Sequence, residues 1–362
     1  MHKLMASSTI LEHELSELRL LVERQTGVVL DCPNSALGAH VADYVEAGEL
    51  GSAAVLLERL RSGDQDFSKF AALLDGLVNS NTGFFRHQGA LNALARHVLP
   101  QVCSRKSADG PSSLRIWSAG CASGEETYSI AMAVCDALNQ AGGTPANVSA
   151  PSANSNGNSK TSRNGGIADT GAGGGSTKMA SAFSLHIVGS DLLPRHIETA
   201  DRGVYPQSSL EGLPPAIIRN YFSKISSPAV SSIAVSSENN EFGVAPKNGA
   251  RAIVQPSRCA PAHLLVKPRL RSLVTFNCMN LARPGYIGRF DVIFCMDVLP
   301  HFSRAQRIAL IERLHLYLEP GGYLFLGQTE KLINSNLNFR SEIFDGYTMH
   351  RKPVAASAAY GR

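Results

Sequence analysis

Arg115-Ile116-Trp117-Ser118-Ala119-Gly120-Cys121-Ala122-Ser123-Gly124-Glu125-Glu126 decides how this chain folds. A strand runs into a loop of small residues, and the loop runs into a helix whose first turn carries two acids. That order predicts the carboxyl edge of a parallel sheet, where the backbone at Gly120 can approach a nucleotide-like ligand closely. Upstream, Asn81-Thr82-Gly83-Phe84-Phe85-Arg86 offers a threonine, two aromatics and an arginine to close over it.

Further along, the same alternation continues. Strands are expected at 114–118, 185–190, 291–295 and 323–327, and helices at 127–138, from Pro194 to Ala200, and at 303–318, the last with Ser303-x-x-Gln306 as its capping box. Pro320-Gly321-Gly322 reads as a turn. Such alternation predicts an α/β fold, a mostly parallel sheet covered by helices.

Upstream of the loop the periodicity is helical. Leu11, Leu15, Leu18 and Val22 share a face behind the capping signature Thr9-x-x-Glu12, and Phe67, Phe70, Leu74 and Leu77 repeat the spacing. Residues 8–80 are therefore expected to form a small all-α domain, in which only Val28-Val29-Leu30 looks strand-like. Leu91, Leu94, Ala95, Val98, Leu99 and Val102 mark one amphipathic helix just after Arg86. Residues 141–181 are rich in Gly, Ser, Asn, Thr and Ala, and read as a disordered low-complexity insertion. Residues 226–262 lean the same way, apart from a short strand at Arg251-Ala252-Ile253-Val254.

The composition narrows the function classes. No apolar run approaches the roughly 20 residues of a membrane span, and the first residues lack an export signal, so the expectation is a cytoplasmic protein without membrane insertion. Seven scattered cysteines without a C-x-x-C pair argue for reduced thiols rather than a disulfide framework or a zinc ribbon, and no metal site is expected. A net charge of +4 does not by itself point to nucleic acid.

The loop is not a G-x-G-x-x-G dinucleotide fingerprint, and acids in the first helical turn oppose phosphate binding. A cationic or zwitterionic nucleoside fits better; S-adenosylmethionine carries an ammonium and a sulfonium and no phosphate. One of Glu125 and Glu126 need only complement the helix dipole. Asp191 ends the second strand, where an acid can accept bonds from ribose hydroxyls or simply cap the next helix. Phe290–Phe302 is an apolar strand ending in a polar turn at the same sheet edge, and His301 is either part of the site or an ordinary loop histidine.

These segments, in this order, resemble the CheR family of chemoreceptor glutamate methyltransferases. The match is carried by Asn81–Arg86, Trp117–Met132, Gly189-Ser190-Asp191, Asn280-Leu281, Phe290–Phe302 and Leu318–Glu330, and extends from about residue 10 to about residue 350. The resemblance implies a Rossmann-like S-adenosylmethionine-dependent methyltransferase domain over 81–352. It also implies the N-terminal helical domain and a small β-subdomain inserted within about 203–278. By position, Thr82, Arg86, Glu125, Asp191, Asn280, Leu281, Met296 and Asp297 match the family's cofactor-contacting residues, with Gly120 as the close-approach glycine. The implied reaction moves a methyl group from S-adenosylmethionine to glutamates on the cytoplasmic domains of chemoreceptors, releasing S-adenosylhomocysteine. The enzyme is expected to act as a monomer without nucleic acid.

Arg86 is the residue expected to orient a carboxylate, with His301 as a second catalytic candidate. Phe84 and Phe85 either wall the site or pack the core. The chain departs from the family where Met296-Asp297 replaces the usual Arg-Asn, Pro300-His301 the usual Ile-Tyr, and Thr127 the usual Pro. Two other readings stand beside this one: a cofactor-binding regulatory module of the same family with little or no methyl transfer, and a nicotinamide-dependent oxidoreductase, which the glycine spacing disfavours. A nucleic-acid methyltransferase would need the basic run Arg258, Lys267, Arg269 and Arg271, which a solvated face or an acidic receptor contact explains more simply.

Overall fold

In the computed structural model, strand β1 (Ser113–Ala119) is the middle of the decisive motif, and it lies in the interior of a seven-stranded sheet. The structure describes residues 10–48, 50–62, 71, 73–78, 81–107, 113–140, 184–225, 263–285, 288–332 and 337–354. The predicted insertion at 141–181, the strand at 251–254, and Thr9, Phe67 and Phe70 lie outside them.

The partners of β1 are β2 (Ser184–Asp191) on one side and β7 (Phe290–Cys295) on the other, both parallel. Beyond β2 lies β6 (Val274–Cys278); beyond β7 come β8 (Leu318–Leu326), β10 (Tyr347–Arg351) and β9 (Arg340–Phe344), giving the order β6-β2-β1-β7-β8-β10-β9. Only β10 runs against the other strands, pairing antiparallel with both β8 and β9. Every residue of β7 is buried, as expected for a central parallel strand covered on both faces. Its one acid, Asp291, accepts the Arg115 N–H at 3.0 Å and lies 2.7 Å from Lys106 Nζ, so the charge is paired. This is a Rossmann-like α/β fold. The chain winds to one side of β1 through β2 and β6 and to the other from β7, so the topological switch falls between β1 and β7.

The Pro320-Gly321-Gly322 segment is not a turn. β8 runs straight through it: Leu318 pairs with Phe290 and Tyr323 with Val292, so extra residues of β8 bulge out of the ladder. Gly321, at φ 75°, supplies the left-handed conformation the bulge needs. Helix α6 (Glu125–Gln140) follows β1, and its face of Tyr128, Ile130, Ala131, Val134, Cys135 and Leu138 is buried. Helix α7 (Pro194–Arg202) follows β2, α9 (Pro268–Arg271) precedes β6, and α10 (Arg304–Tyr317) precedes β8. Ser303 occupies the N-cap of α10 but makes no side-chain cap bond, so the predicted box there does not form.

The helices α1 (Glu12–Thr26), α2 (Asn34–Ala47) and α3 (Ala53–Arg61) pack around Leu15, Leu18, Val22, Leu37, Leu57 and Leu74, and Leu193 joins that cluster. The start of α1 is held by Glu14, whose carboxylate accepts the Leu11 N–H at 2.9 Å. Val28 forms an isolated antiparallel bridge with Phe302 and so pairs with the chain after β7 instead of with another segment of the helical region.

The amphipathic helix after Arg86 is interrupted. It runs as α4 (Gln88–Ala93), a π-helical turn (Leu94–Val98) and α5 (Leu99–Ser107). Within the π turn His97 meets the Glu342 carboxylate at 3.1 Å and packs its ring against Phe344, a long-range attachment that local periodicity does not reveal.

Gly203–Lys267 forms a separate unit. Its sheet has the order β3-β5-β4, all antiparallel, from β3 (Val204–Pro206), β4 (Phe222–Lys224) and β5 (His263–Val266), with α8 (Pro215–Tyr221) before β4. Among its described residues, Tyr205, Leu210, Phe222, Leu264 and Val266 are buried.

Candidate functional site

The end of β1 turns sharply because Gly120 has φ 84°, and a Cβ there would lie 2.4 Å from Val298 Cγ2. The Gly120 and Cys121 amides both donate to the Ser190 carbonyl, at 2.8 and 2.9 Å. The Ala122 amide donates to Asp191 Oδ2 at 2.9 Å, and the Gly124 amide to the Cys121 carbonyl at 3.0 Å. Four loop amides are thus committed within the protein, and none of them is available to cradle a phosphate. This separates the loop from a dinucleotide site by geometry as well as by glycine spacing.

Asp191 turns the chain toward the next helix and also lines the cavity. Oδ1 accepts the Leu193 N–H at 3.0 Å, turning the chain into α7, and lies 3.0 Å from His196 Nδ1, while Oδ2 grips the Ala122 amide. Each carboxylate oxygen has more than one acceptor position, so Oδ2 can accept a further bond from the cavity.

The two acids of α6 divide. Glu125 is buried and accepts from Ser123 Oγ at 2.8 Å and Thr82 Oγ1 at 3.4 Å; burial raises its carboxyl above the ordinary range, and the side chain is not on the cavity wall. Glu126 is on the wall. It accepts from Ser118 Oγ at 2.7 Å, and burial pushes its carboxyl up to about 7, with nearby Asp297 and Glu330 adding to the rise. The Phe85 amide donates to Ser129 Oγ at 2.9 Å and completes the docking of residues 81–86 onto the start of α6. Phe84 packs into the core, whereas Phe85, at φ 54°, lines the cavity.

At the end of β7, Met296 is buried and Asp297 has φ 57°. Glu330 fixes this turn: it accepts the Asp297 amide at 3.1 Å, the Leu299 amide at 2.8 Å and the Gly327 amide. Arg86 Nη2 lies 3.2 Å from Asp297 Oδ2, and His87 Nε2 lies 3.2 Å from the same oxygen. Burial lowers the pKa of His87 and of His301, so both are mainly neutral at pH 7. At the end of β6, Asn280 donates to the Gln25 carbonyl at 2.8 Å and accepts the Ala282 amide at 2.9 Å.

These ends enclose a cavity of about 390 Å³. Thr82, Arg86, Gly120, Asp191, Asn280, Leu281, Met296, Asp297 and His301 line it, and Glu125 does not. Glu126, His87, His196, Thr26 and Val28 line it as well, beyond the residues chosen from sequence. Glu126 and His87 are each adjacent to a chosen residue, and His196 lies five residues after Asp191. Thr26 and Val28 give no local signal. Three of the four non-glycine residues with positive φ among the described residues, Phe85, Ala122 and Asp297, line this cavity, and such backbone strain concentrates at binding sites. Among the described residues the wall presents three acids, Glu126, Asp191 and Asp297, with Arg86 as its one arginine. That donor set fits a zwitterionic or cationic nucleoside and does not fit a polyphosphate. Among the described residues no cluster of His, Cys, Asp and Glu could hold a metal ion.

Comparison with known proteins agrees with this geometry. Residues 80–159 and 252–346 match the family model described as the CheR methyltransferase, SAM binding domain. Chemotaxis protein methyltransferase 1 of Pseudomonas aeruginosa is 26% identical over 319 residues, 87% of this chain and 89% of that protein. The chemotaxis protein methyltransferase of Vibrio parahaemolyticus is 25% identical over 331 residues, 91% of this chain and 92% of its own length. A probable chemotaxis protein methyltransferase of Rhizobium etli is 26% identical over 261 residues, 72% of this chain and 70% of that protein.

Proposed function

We propose that the chain is a member of the CheR family of S-adenosylmethionine-dependent methyltransferases and that it methylates glutamate side chains on the cytoplasmic domains of chemoreceptors. The observation that carries the reading is the acidic, phosphate-incompatible cavity at the switch between β1 and β7, closed on one side by Arg86. The same reading places the protein in the cytoplasm as a monomer. Among the described residues no helix is long and apolar enough to cross a membrane. The oxidoreductase reading finds no support, because the loop amides that would meet a pyrophosphate are already bonded.

S-adenosylmethionine, when bound, supplies an electrophilic methyl group: the new bond is carboxylate oxygen to methyl carbon, the broken bond is methyl carbon to sulfur, and S-adenosylhomocysteine leaves. A glutamate side chain with an unperturbed pKa of about 4.3 is already ionised at neutral pH, so the protein need not supply a general base. Its work is to align the carboxylate and strip water from it. The Arg86 guanidinium is the group on the wall suited to hold a carboxylate in a fixed plane. Asp191 faces the cavity with acceptor capacity suited to ribose hydroxyls, and Glu126 suits an ammonium or sulfonium. Phe85, Met296 and Phe302 make that part of the wall apolar and exclude water. His301 lies on the same wall as a neutral imidazole, available to hydrogen-bond the substrate.

The test has two arms. Calorimetry with S-adenosylmethionine and S-adenosylhomocysteine should show binding at one site; no heat at near-millimolar ligand overturns the cavity assignment. Radiolabelled methyl groups should then enter receptor cytoplasmic fragments as base-labile esters. Cofactor binding without any incorporation would leave the family assignment standing and refute the substrate.

A further inference from the structure

On the methyltransferase reading the cavity receives carboxylates, one from the cofactor and one from the substrate, and among the described residues Arg86 is the only arginine on its wall. That guanidinium already has a partner. Asp297 Oδ2 lies 3.2 Å from Arg86 Nη2 and 3.2 Å from His87 Nε2, and Arg86 Nη1 donates to the Asn81 carbonyl. Asp297 is held there by its backbone: φ is 57°, its amide is bonded to Glu330 at 3.1 Å, and Gly327 comes so near that a Cβ would fall 2.4 Å from Asp297 Oδ1.

We propose that Asp297 is a built-in carboxylate that occupies Arg86 and His87 and sets the cavity's selectivity by competing with the carboxylate of an incoming ligand. A single Asp297 oxygen serves both the Arg86 guanidinium and the neutral His87 ring, whereas a guanidinium fork can hold a free carboxylate through two bonds. The pair is also partly open to water, with side chains 41% and 35% exposed, so it is weak enough to yield. A ligand carboxylate that makes both bonds to Arg86 displaces Asp297, and a ligand without one gains nothing there. Asp297 is thus a specificity-determining residue that acts through Arg86.

The test is Asp297→Asn, with Asp297→Gly as a second variant. Both lack the charge, both tolerate positive φ, and both keep the amide that bonds Glu330. Calorimetry compares S-adenosylhomocysteine with 5′-methylthioadenosine, which has no carboxylate, and steady-state methylation gives KM for a receptor cytoplasmic fragment. Removal of a partly exposed charge pair corresponds to about a fivefold change. If the contest is with the cofactor, both variants bind S-adenosylhomocysteine about fivefold more tightly and 5′-methylthioadenosine unchanged. If it is with the substrate, KM for the fragment falls by about as much at constant cofactor affinity. No shift in either arm, equal shifts for the two nucleosides, or weaker S-adenosylhomocysteine binding would overturn the inference. A wild-type protein that binds neither nucleoside refutes the cofactor site itself, and the inference with it. A wild type that binds S-adenosylhomocysteine while the variants match it refutes only the role of Asp297.

Discussion

Glu330 Oε2 accepts the backbone amide of Asp297 at 3.1 Å, so an acid beyond β8 determines how the chain leaves β7. The same carboxylate takes the Leu299 and Gly327 amides, and burial raises its pKa. Glu330→Ala leaves three amides without their partner and is expected to cost about 3 kcal/mol or more. Glu330→Gln keeps an acceptor at that place and is expected to lose about half as much. Chemical denaturation measures the difference. S-adenosylhomocysteine binding should fall in the same order, because the residues released are those that shape the cavity.

Gly120 is constrained twice, by φ 84° and by Val298 Cγ2 at 2.4 Å from where its Cβ would be. Gly120→Ala is expected to destabilise the fold by about 2 to 4 kcal/mol, combining conformational strain with overpacking. Adding Val298→Ala should recover the contact part alone, since the backbone strain is intrinsic to alanine at positive φ. Full recovery of stability in the double variant would show that φ contributes nothing.

Arg86→Ala is expected to abolish methyl incorporation while its thermal midpoint stays within a few degrees of wild type, because the side chain is 41% exposed and bonded only at the cavity rim. A wild-type rate in the radiolabel assay would remove Arg86 from the mechanism.

The central strands were readable because they are apolar runs that end in small or polar turns: Phe290–Cys295 is buried throughout, and Arg115–Ala119 leads straight into the glycine loop. What was not readable depends on distant partners. The π turn at Leu94–Val98 is accompanied by the contacts of His97 with Glu342 and Phe344, nearly 250 residues away in sequence. Pro320-Gly321-Gly322 has the composition of a turn, yet pairing with β7 absorbs it as a bulge. In the site, glycine and acid positions were visible as motif, but the choice between Glu125 and Glu126 was not. Both occupy the first turn of α6, and only the packing of Thr82 and Ser118 decides which side chain faces the cavity.

Glu126 makes stability depend on pH with a defined sign. Its folded pKa of about 7 exceeds the ordinary carboxyl value of 4.5, so the native state holds a proton that the unfolded chain has lost. Its stabilising contribution is full below about pH 4.5 and declines as pH rises through about 7. Burial raises Glu125 and Glu330 as well, which adds to the same trend. Glu126→Gln should therefore flatten the fall in stability between pH 5 and 8 and leave the variant more stable at pH 8 by up to about 3 kcal/mol. Binding should run the opposite way in wild type: a sulfonium favours the ionised acid, so affinity for S-adenosylmethionine rises from pH 6 to 8. Calorimetry across that range should find this slope much reduced in Glu126→Gln, and an equal slope would clear Glu126 of contact with the charge.

Asn280 joins the end of β6 to the end of α1 through the Gln25 carbonyl at 2.8 Å, and Val29 donates to the His301 carbonyl at 2.8 Å a few residues on. Thr26 and Val28, between these two bonds, line the cavity. A ligand that fills the cavity rests against this segment, so S-adenosylhomocysteine should slow amide hydrogen exchange at Val28 and Val29. Asn280→Ala removes both the Gln25 bond and the acceptor for Ala282, and is expected to cost about 1 to 2 kcal/mol. Its larger effect should be local: faster exchange over residues 25–29 and weaker cofactor binding, with α2 and α3 unchanged. Exchange that accelerates uniformly across all three helices would instead make Asn280 a general stabiliser with no particular hold on the cavity wall.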